Sequence, residues 1–180
     1  MINLDIRKVG LSGLQELRDI GIKSYVPHYA HMWKPDGLEW YLDHCFGEEF
    51  LQREILDANI EYYIISAANQ NVGILKLVSH KPLPASDIVN ALYLEKIYFS
   101  KEWTGKGVGH DLIKFVFERA KEINCDCVWL VAMDTAEKPV LAYKKAGFAI
   151  HCHEFLDFEL LKDEFKGTFV MKHCFKKNGN

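Results

Sequence analysis

The chain has only five prolines and five cysteines, no surplus of basic residues and no long apolar run. Twenty-two Lys and Arg stand against 25 Asp and Glu, a net charge of −3, and the cations form no block. That argues against nucleic acid as a partner, because binding a phosphate backbone needs clustered Lys and Arg. No stretch approaches the ~18–20 apolar residues of a membrane helix. The cysteines (45, 125, 127, 152 and 174) are odd in number. With no signal peptide in evidence, they read as reduced thiols in a cytosolic protein. Cys125 and Cys127 form a C-x-C pair, and Cys152 lies between His151 and His153. No C-x₂-C pair or matching second pair accompanies them, so these residues read as structural and no metal site is expected. Repeats, low-complexity tracts and linkers are also missing, which leaves residues 1–180 as one domain.

What is present centres on Leu94–Gly109, LEKIYFSKEWTGKGVG. Tyr93, Glu95, Ile97 and Phe99 alternate with Leu94, Lys96 and Tyr98, the period of a strand. Lys101, Glu102 and Thr104 end the apolar run, and Gly105, Gly107 and Gly109 follow at alternate positions. Val108, Leu112, Val116, Ala120 and Ile123 then recur every three or four residues, so an amphipathic helix is expected from Val108 onward.

A strand, a glycine-rich turn and a helix start make a ready anion site. The first turn of a helix has backbone N–H groups with no intrahelical partner, and the dipole places partial positive charge there. Glycine lets a phosphate reach those donors, and Lys106 adds a full charge. The Walker pattern is excluded, since no Lys-Ser or Lys-Thr follows the glycines. The dinucleotide pattern is excluded too, since its third glycine would fall on His110. On the glycines alone, a turn that binds nothing stays open.

The flanking chain reads as alternating elements. Asn3–Val9 is an expected strand, and a helix starts after Ser12 and runs towards Tyr25, with Pro27 ending or kinking it. His28–Gly37 reads as irregular and aromatic. Helices are expected at Leu38–Phe46 and Glu48–Ala58, and strands at Glu61–Ala68 and Val72–His80 around an Asn69–Asn71 turn. Beyond the central unit come a buried strand at Cys127–Met133, a helix at Ala136–Ala146 and strands at Phe148–Phe158 and Thr168–Phe175.

Strand, T-G-K-G-V-G-H, amphipathic helix, strand, then A-Y-K-K-A-G-F at Ala142–Phe148 resembles the GCN5-related N-acetyltransferases (GNAT) over roughly residues 60–175. The N-terminal SYVPHY, WYLDHCF and NQNVGILKL are similar to bacterial Pai-type polyamine acetyltransferases. Thr104 stands where that family usually has Arg or Gln, and Ala136 where it usually has Asn. The first change weakens no main-chain donor, and the second removes a side chain that in the family often touches the pantetheine arm of the cofactor.

The resemblance implies an α/β fold: a mixed, mostly antiparallel sheet of six or seven strands, helices on both faces, and a splayed parallel pair of strands. It implies acetyl-CoA as cofactor. Its diphosphate would sit on Thr104, Gly105, Lys106, Gly107, Val108, Gly109 and His110, and its pantetheine arm along Ile97, Tyr98 and Phe99. The Phe99 amide would hold the oxyanion, and Tyr143 would protonate the leaving thiolate. A phenol of pKa ~10 holds its proton at neutral pH and can pass it to a thiolate of pKa ~8–9. Glu95 would accept the amine's proton, directly or through water, and would also touch the substrate. A carboxylate beside Ile97 and Phe99 needs such a reason, although an ion pair with a lysine is an alternative. His28, Trp33 and Tyr41 would cover the acceptor, whose ammonium suits aromatic faces. The expected partner is a small polyamine-like amine, and homodimers are common in such folds. A protein or peptide N-acetyltransferase, or a non-catalytic acyl-CoA-binding module, are the competing readings.

Overall fold

The computed structural model describes residues 4–176. Asn3, the first residue of the expected N-terminal strand, lies outside them. Seven strands form one sheet: β1 (Leu4–Lys8), β2 (Ile60–Ala67), β3 (Gln70–Val78), β4 (Ala91–Phe99), β5 (Cys127–Met133), β6 (Ala149–Phe155) and β7 (Gly167–Cys174). Their order is β1-β2-β3-β4-β5-β7-β6. The helices are α1 (Leu14–Tyr29), α2 (Gly37–Phe46), α3 (Glu48–Leu56), α4 (Val108–Glu122) and α5 (Glu137–Lys145). This is the mixed α/β architecture expected, with β4 and β5 parallel.

The chain divides into two compact units. The first takes the chain through Leu77, with Lys96–Gly109 and Phe158–Lys162. In it β1 pairs antiparallel with β2, from Leu4↔Ala67 to Lys8↔Tyr63. Leu17, Phe46, Leu51, Ile64, Ile65 and Ile74 are fully buried. Lys76 and Glu61 are charged, buried among them and paired. Lys76 Nζ lies 2.6 Å from Glu54 Oε1, and Glu61 Oε1 accepts from Lys8 Nζ at 2.6 Å.

The second unit takes Val78–Glu95, His110–Asp157 and the chain from Asp163. Here β4 and β5 are in register from Ala91↔Cys127 to Leu94↔Leu130. Strand β4 runs on to Phe99 and β5 to Met133 beyond the last paired residues. Strand β5 pairs antiparallel with β7 along its whole length, which buries Val128, Leu130 and Val170. Strand β6 pairs with β7 and carries a bulge between Ile150 and Cys152.

Three local expectations are corrected. Pro27 does not end α1: the helix runs to Tyr29, and Ala30 N–H bonds Val26 O beyond the proline. A missing donor so near the C-terminus removes a single ladder bond. The hairpin turn is Ala68-Asn69 rather than Asn69–Asn71. Both residues have positive φ (49° and 61°), as a two-residue hairpin loop needs to match the strand twist, so β3 begins at Gln70. And not all thiols are reduced: Cys127 and Cys174, opposite each other on β5 and β7, form a disulfide. Cys45, Cys125 and Cys152 are free. Partners 47 residues apart leave no spacing pattern to read.

Candidate active site

In the first unit, a 3₁₀ turn at Lys101–Trp103 closes on itself through Thr104 N–H to Lys101 O, 3.0 Å. Gly105 and Gly107 follow with φ of 76° and 90°, a left-handed region that side chains rarely adopt. A Cβ built on either meets nothing within 4 Å, so the demand is conformational and the space above the loop is open. Helix α4 then starts at Val108, which is buried and anchors the first turn. Its first amides have no intrahelical acceptor. Lys106 and Thr104 are exposed, and Lys106 Nζ rests 4.9 Å from the centre of the Trp103 ring. Open space, exposed donors, the helix's positive end and a lysine fit a diphosphate.

Just before this loop, Ile97, Tyr98 and Phe99 are half-buried at the end of β4. Gly73 of β3 passes so close that a Cβ there would lie 2.2 Å from Tyr98 O and 2.8 Å from Phe99 Cα. Ser100 N–H bonds Val72 O at 2.9 Å. His28 Nε2 lies 3.0 Å from Phe99 O. A carbonyl can only accept, so His28 carries its proton on Nε2.

The expected acceptor-side aromatics form a packed group in this unit. Trp33 donates from Nε1 to Tyr25 Oη at 3.1 Å and lies 4.9 Å, ring centre to ring centre, from Tyr41. Tyr25 stacks on Tyr29 at 4.7 Å and on Tyr41 at 4.6 Å. Tyr41 and Tyr98 approach hydroxyl to hydroxyl at 3.5 Å. Trp33 and Tyr41 are only 6% and 9% exposed, so their faces are largely taken by other rings. Burial pushes the phenols of Tyr25, Tyr29, Tyr41 and Tyr98 up, so they stay neutral. His28 is half-buried at the rim of this group.

In the second unit, Glu95 is half-buried on the strand face it shares with Tyr93. The Tyr93 ring stacks on Trp129 at 3.9 Å across the parallel pair. Burial first, then the Glu95 charge, raises the Tyr93 phenol above its usual range. Tyr143 is half-buried on α5 and meets Phe148 edge-to-face at 5.9 Å. Phe148 N–H bonds Tyr143 O at 3.0 Å, fixing the end of the helix. His110 is exposed in the first turn of α4.

The sequence reading missed the clamping of Phe99. Gly73, a glycine inside a strand, was the available signal for a close backbone approach. The His28 contact has no local signal, because the partners are 71 residues apart. Among the described residues, no three His, Cys, Asp or Glu are grouped to hold a metal ion, and no helix is long and apolar enough to cross a membrane.

Comparison with known proteins finds relatives among protein sequences and among solved structures. An uncharacterized N-acetyltransferase from Lactobacillus delbrueckii subsp. lactis is 23% identical over 96% of this chain and 98% of its own. A thialysine N-epsilon-acetyltransferase from Sus scrofa is 39% identical over 31% of this chain and 33% of its own. Among solved structures, the PaiA N-acetyltransferase from Thermoplasma acidophilum in complex with coenzyme A covers 96% of this chain and 99% of its own. Its TM-score is 0.74 at 20% identity. A chimera of the Vibrio cholerae spermidine N-acetyltransferase SpeG covers 95% of each chain, with a TM-score of 0.71 at 17% identity. The model of the acetyltransferase (GNAT) family matches residues 25–148, which include the Gly105–Gly109 loop, Glu95 and Tyr143. The chain belongs to the acetyltransferase (GNAT) family.

Proposed function

We propose that the chain, acting as a single catalytic domain, transfers an acetyl group from acetyl-CoA to a primary amine of a small polyamine-like molecule. The observation that carries this reading is the open, positive-φ turn at Gly105 and Gly107 leading into α4 in a chain of this family. PaiA was solved with coenzyme A, and the names of other relatives specify spermidine or thialysine, small molecules with primary amines.

In this reading the main-chain donors from Gly105 to His110 hold the diphosphate beside the Thr104 side chain, with Lys106 adding charge. Ile97, Tyr98 and Phe99 align the pantetheine arm. The amine nitrogen attacks the thioester carbonyl, and a new C–N bond replaces the C–S bond. Acetyl-CoA supplies the activated acyl group. The Phe99 amide stabilises the oxygen as it gains charge. Glu95 takes the proton lost by the amine, directly or through water. Tyr143 gives its proton to the departing thiolate, so the products are the amide and the free thiol of coenzyme A. His28, Trp33 and Tyr41 border the acceptor, the two buried rings as its wall. We place the reaction in the cytoplasm, where acetyl-CoA is available. The Cys127–Cys174 disulfide weighs against that location.

The test is thiol release from acetyl-CoA against a panel of diamines, polyamines, amino acids and peptides. Spermidine-like amines should give saturable turnover. Turnover with peptides alone would replace the substrate class, and tight coenzyme A binding without thiol release would show a binding module.

A further inference from the structure

We propose that His28 is a positioning residue for acetyl transfer, holding the Phe99 carbonyl so that the neighbouring Phe99 amide keeps one direction. The proposal rests on the reading of that amide as the oxyanion donor.

Phe99 is the last residue of β4, and the chain turns away after it into the Lys101–Trp103 turn. A carbonyl at the end of a strand is where a ladder partner runs out. His28 takes that place from α1, with Nε2 3.0 Å from Phe99 O. The N–H of the same peptide unit, Ser100 N–H, bonds Val72 O at 2.9 Å. The Phe99–Ser100 peptide is therefore held at both polar ends.

The preceding peptide, which carries the Phe99 N–H, is held by contact instead. Gly73 lies against it so closely that a Cβ would come 2.2 Å from Tyr98 O. Only the φ and ψ torsions of Phe99 join the two planes. With both planes held, those torsions have little room, and the amide's direction is set. Release of the carbonyl leaves the Phe99–Ser100 plane held at one end only, which widens the range of those torsions and of the amide's direction.

The last turn of α1 is itself tied to β4. The Tyr29 ring, one residue beyond His28, lies 5.5 Å from Tyr98 and stacks on Tyr25 at 4.7 Å. His28 therefore works from a fixed base. Its Nε2–H is the donor to the Phe99 carbonyl.

An oxyanion donor acts mainly as charge develops, so misaiming it lowers kcat more than it raises KM. His28→Phe and His28→Leu keep bulk and lose the donor. Each should lower kcat about 10- to 100-fold, with the KM for acetyl-CoA within about twofold. His28→Gln can still donate, so its kcat at saturating amine should stay within about threefold of the parent's, with the parent's pH profile, whatever happens to the KM for the amine. Amide hydrogen exchange at Ser100, read without any substrate, should speed up about tenfold in His28→Phe and not in His28→Gln.

The proposal is overturned if His28→Gln falls as far as His28→Phe, if the pH profile of His28→Gln loses a limb, or if Ser100 exchange is unmoved. If instead the parent protein acetylates no amine in the panel, the functional reading fails while the exchange experiment still reports on the clamp.

Discussion

The Lys76 ammonium and the Glu54 carboxylate meet at 2.6 Å with unequal shelter. The lysine side chain is 2% exposed and the glutamate 15%. Glu54 also accepts the hydroxyl hydrogen of Tyr62 and lines an open cavity of about 250 Å³ with Phe50, Arg53, Asp57 and Ile60. Removing one partner therefore has different results in the two directions. Glu54→Ala takes the carboxylate away from a buried ammonium and should cost about 3–5 kcal/mol. Lys76→Met leaves a carboxylate that water and Tyr62 still reach, and should cost about 1–2 kcal/mol. Urea unfolding of the two variants measures the gap, and equal losses would refute it.

Tyr143→Phe removes one hydroxyl and keeps the edge-to-face contact with Phe148. Loss of a general acid should reduce the thiol release rate about 100-fold with coenzyme A affinity unchanged. Stopped-flow thiol detection beside calorimetry with coenzyme A separates the two quantities. An unchanged rate would remove Tyr143 from the chemistry.

Gly107→Ala introduces no clash, since nothing lies within 4 Å of the added carbon. It does place a side chain at a φ of 90°, which costs about 1–2 kcal/mol. Coenzyme A affinity should fall about 5- to 30-fold if the loop must keep this shape to bind. Calorimetry showing unaltered affinity would mean the loop is not the diphosphate cradle.

Thiol titration in denaturant should find three reactive cysteines and, after reduction, five. A crosslink spanning 47 residues stabilises by about 4 kcal/mol on the chain-entropy estimate. Denaturant unfolding of Cys174→Ser should show a loss of up to that size. Five thiols before reduction would mean the pair is not bonded in solution and would remove the observation against a cytoplasmic location.

The elements with a strong local period were legible in the sequence. The apolar stripe from Val108 to Ile123 became α4, ending at Glu122, and the apolar run Cys127–Met133 became β5 with the same bounds. The glycine-rich turn expected before α4 is there, and Gly105 and Gly107 take positive φ in it. What could not be read depends on partners distant in sequence. Trp33 and Tyr41 read as acceptor-facing aromatics, yet their faces are largely covered by each other and by Tyr25, a matter of tertiary packing. Pro27 signalled a break because local rules cannot see that the last turn of α1 is fastened through Tyr29 to Tyr25 and Tyr98. Ala68 hid the hairpin turn because alanine seldom takes a left-handed conformation.

The bulge between Ile150 and Cys152 has a bearing on self-association. Strand β6 is the outermost of the sheet on its side, and Phe155 near its end is 81% exposed. A straight, apolar border of this kind would invite an incoming strand to add along its full length. The extra residue breaks the regular spacing of its unpaired amides and carbonyls, so a visiting strand can dock over only part of the border. Strand addition at this margin is thereby confined to part of its length.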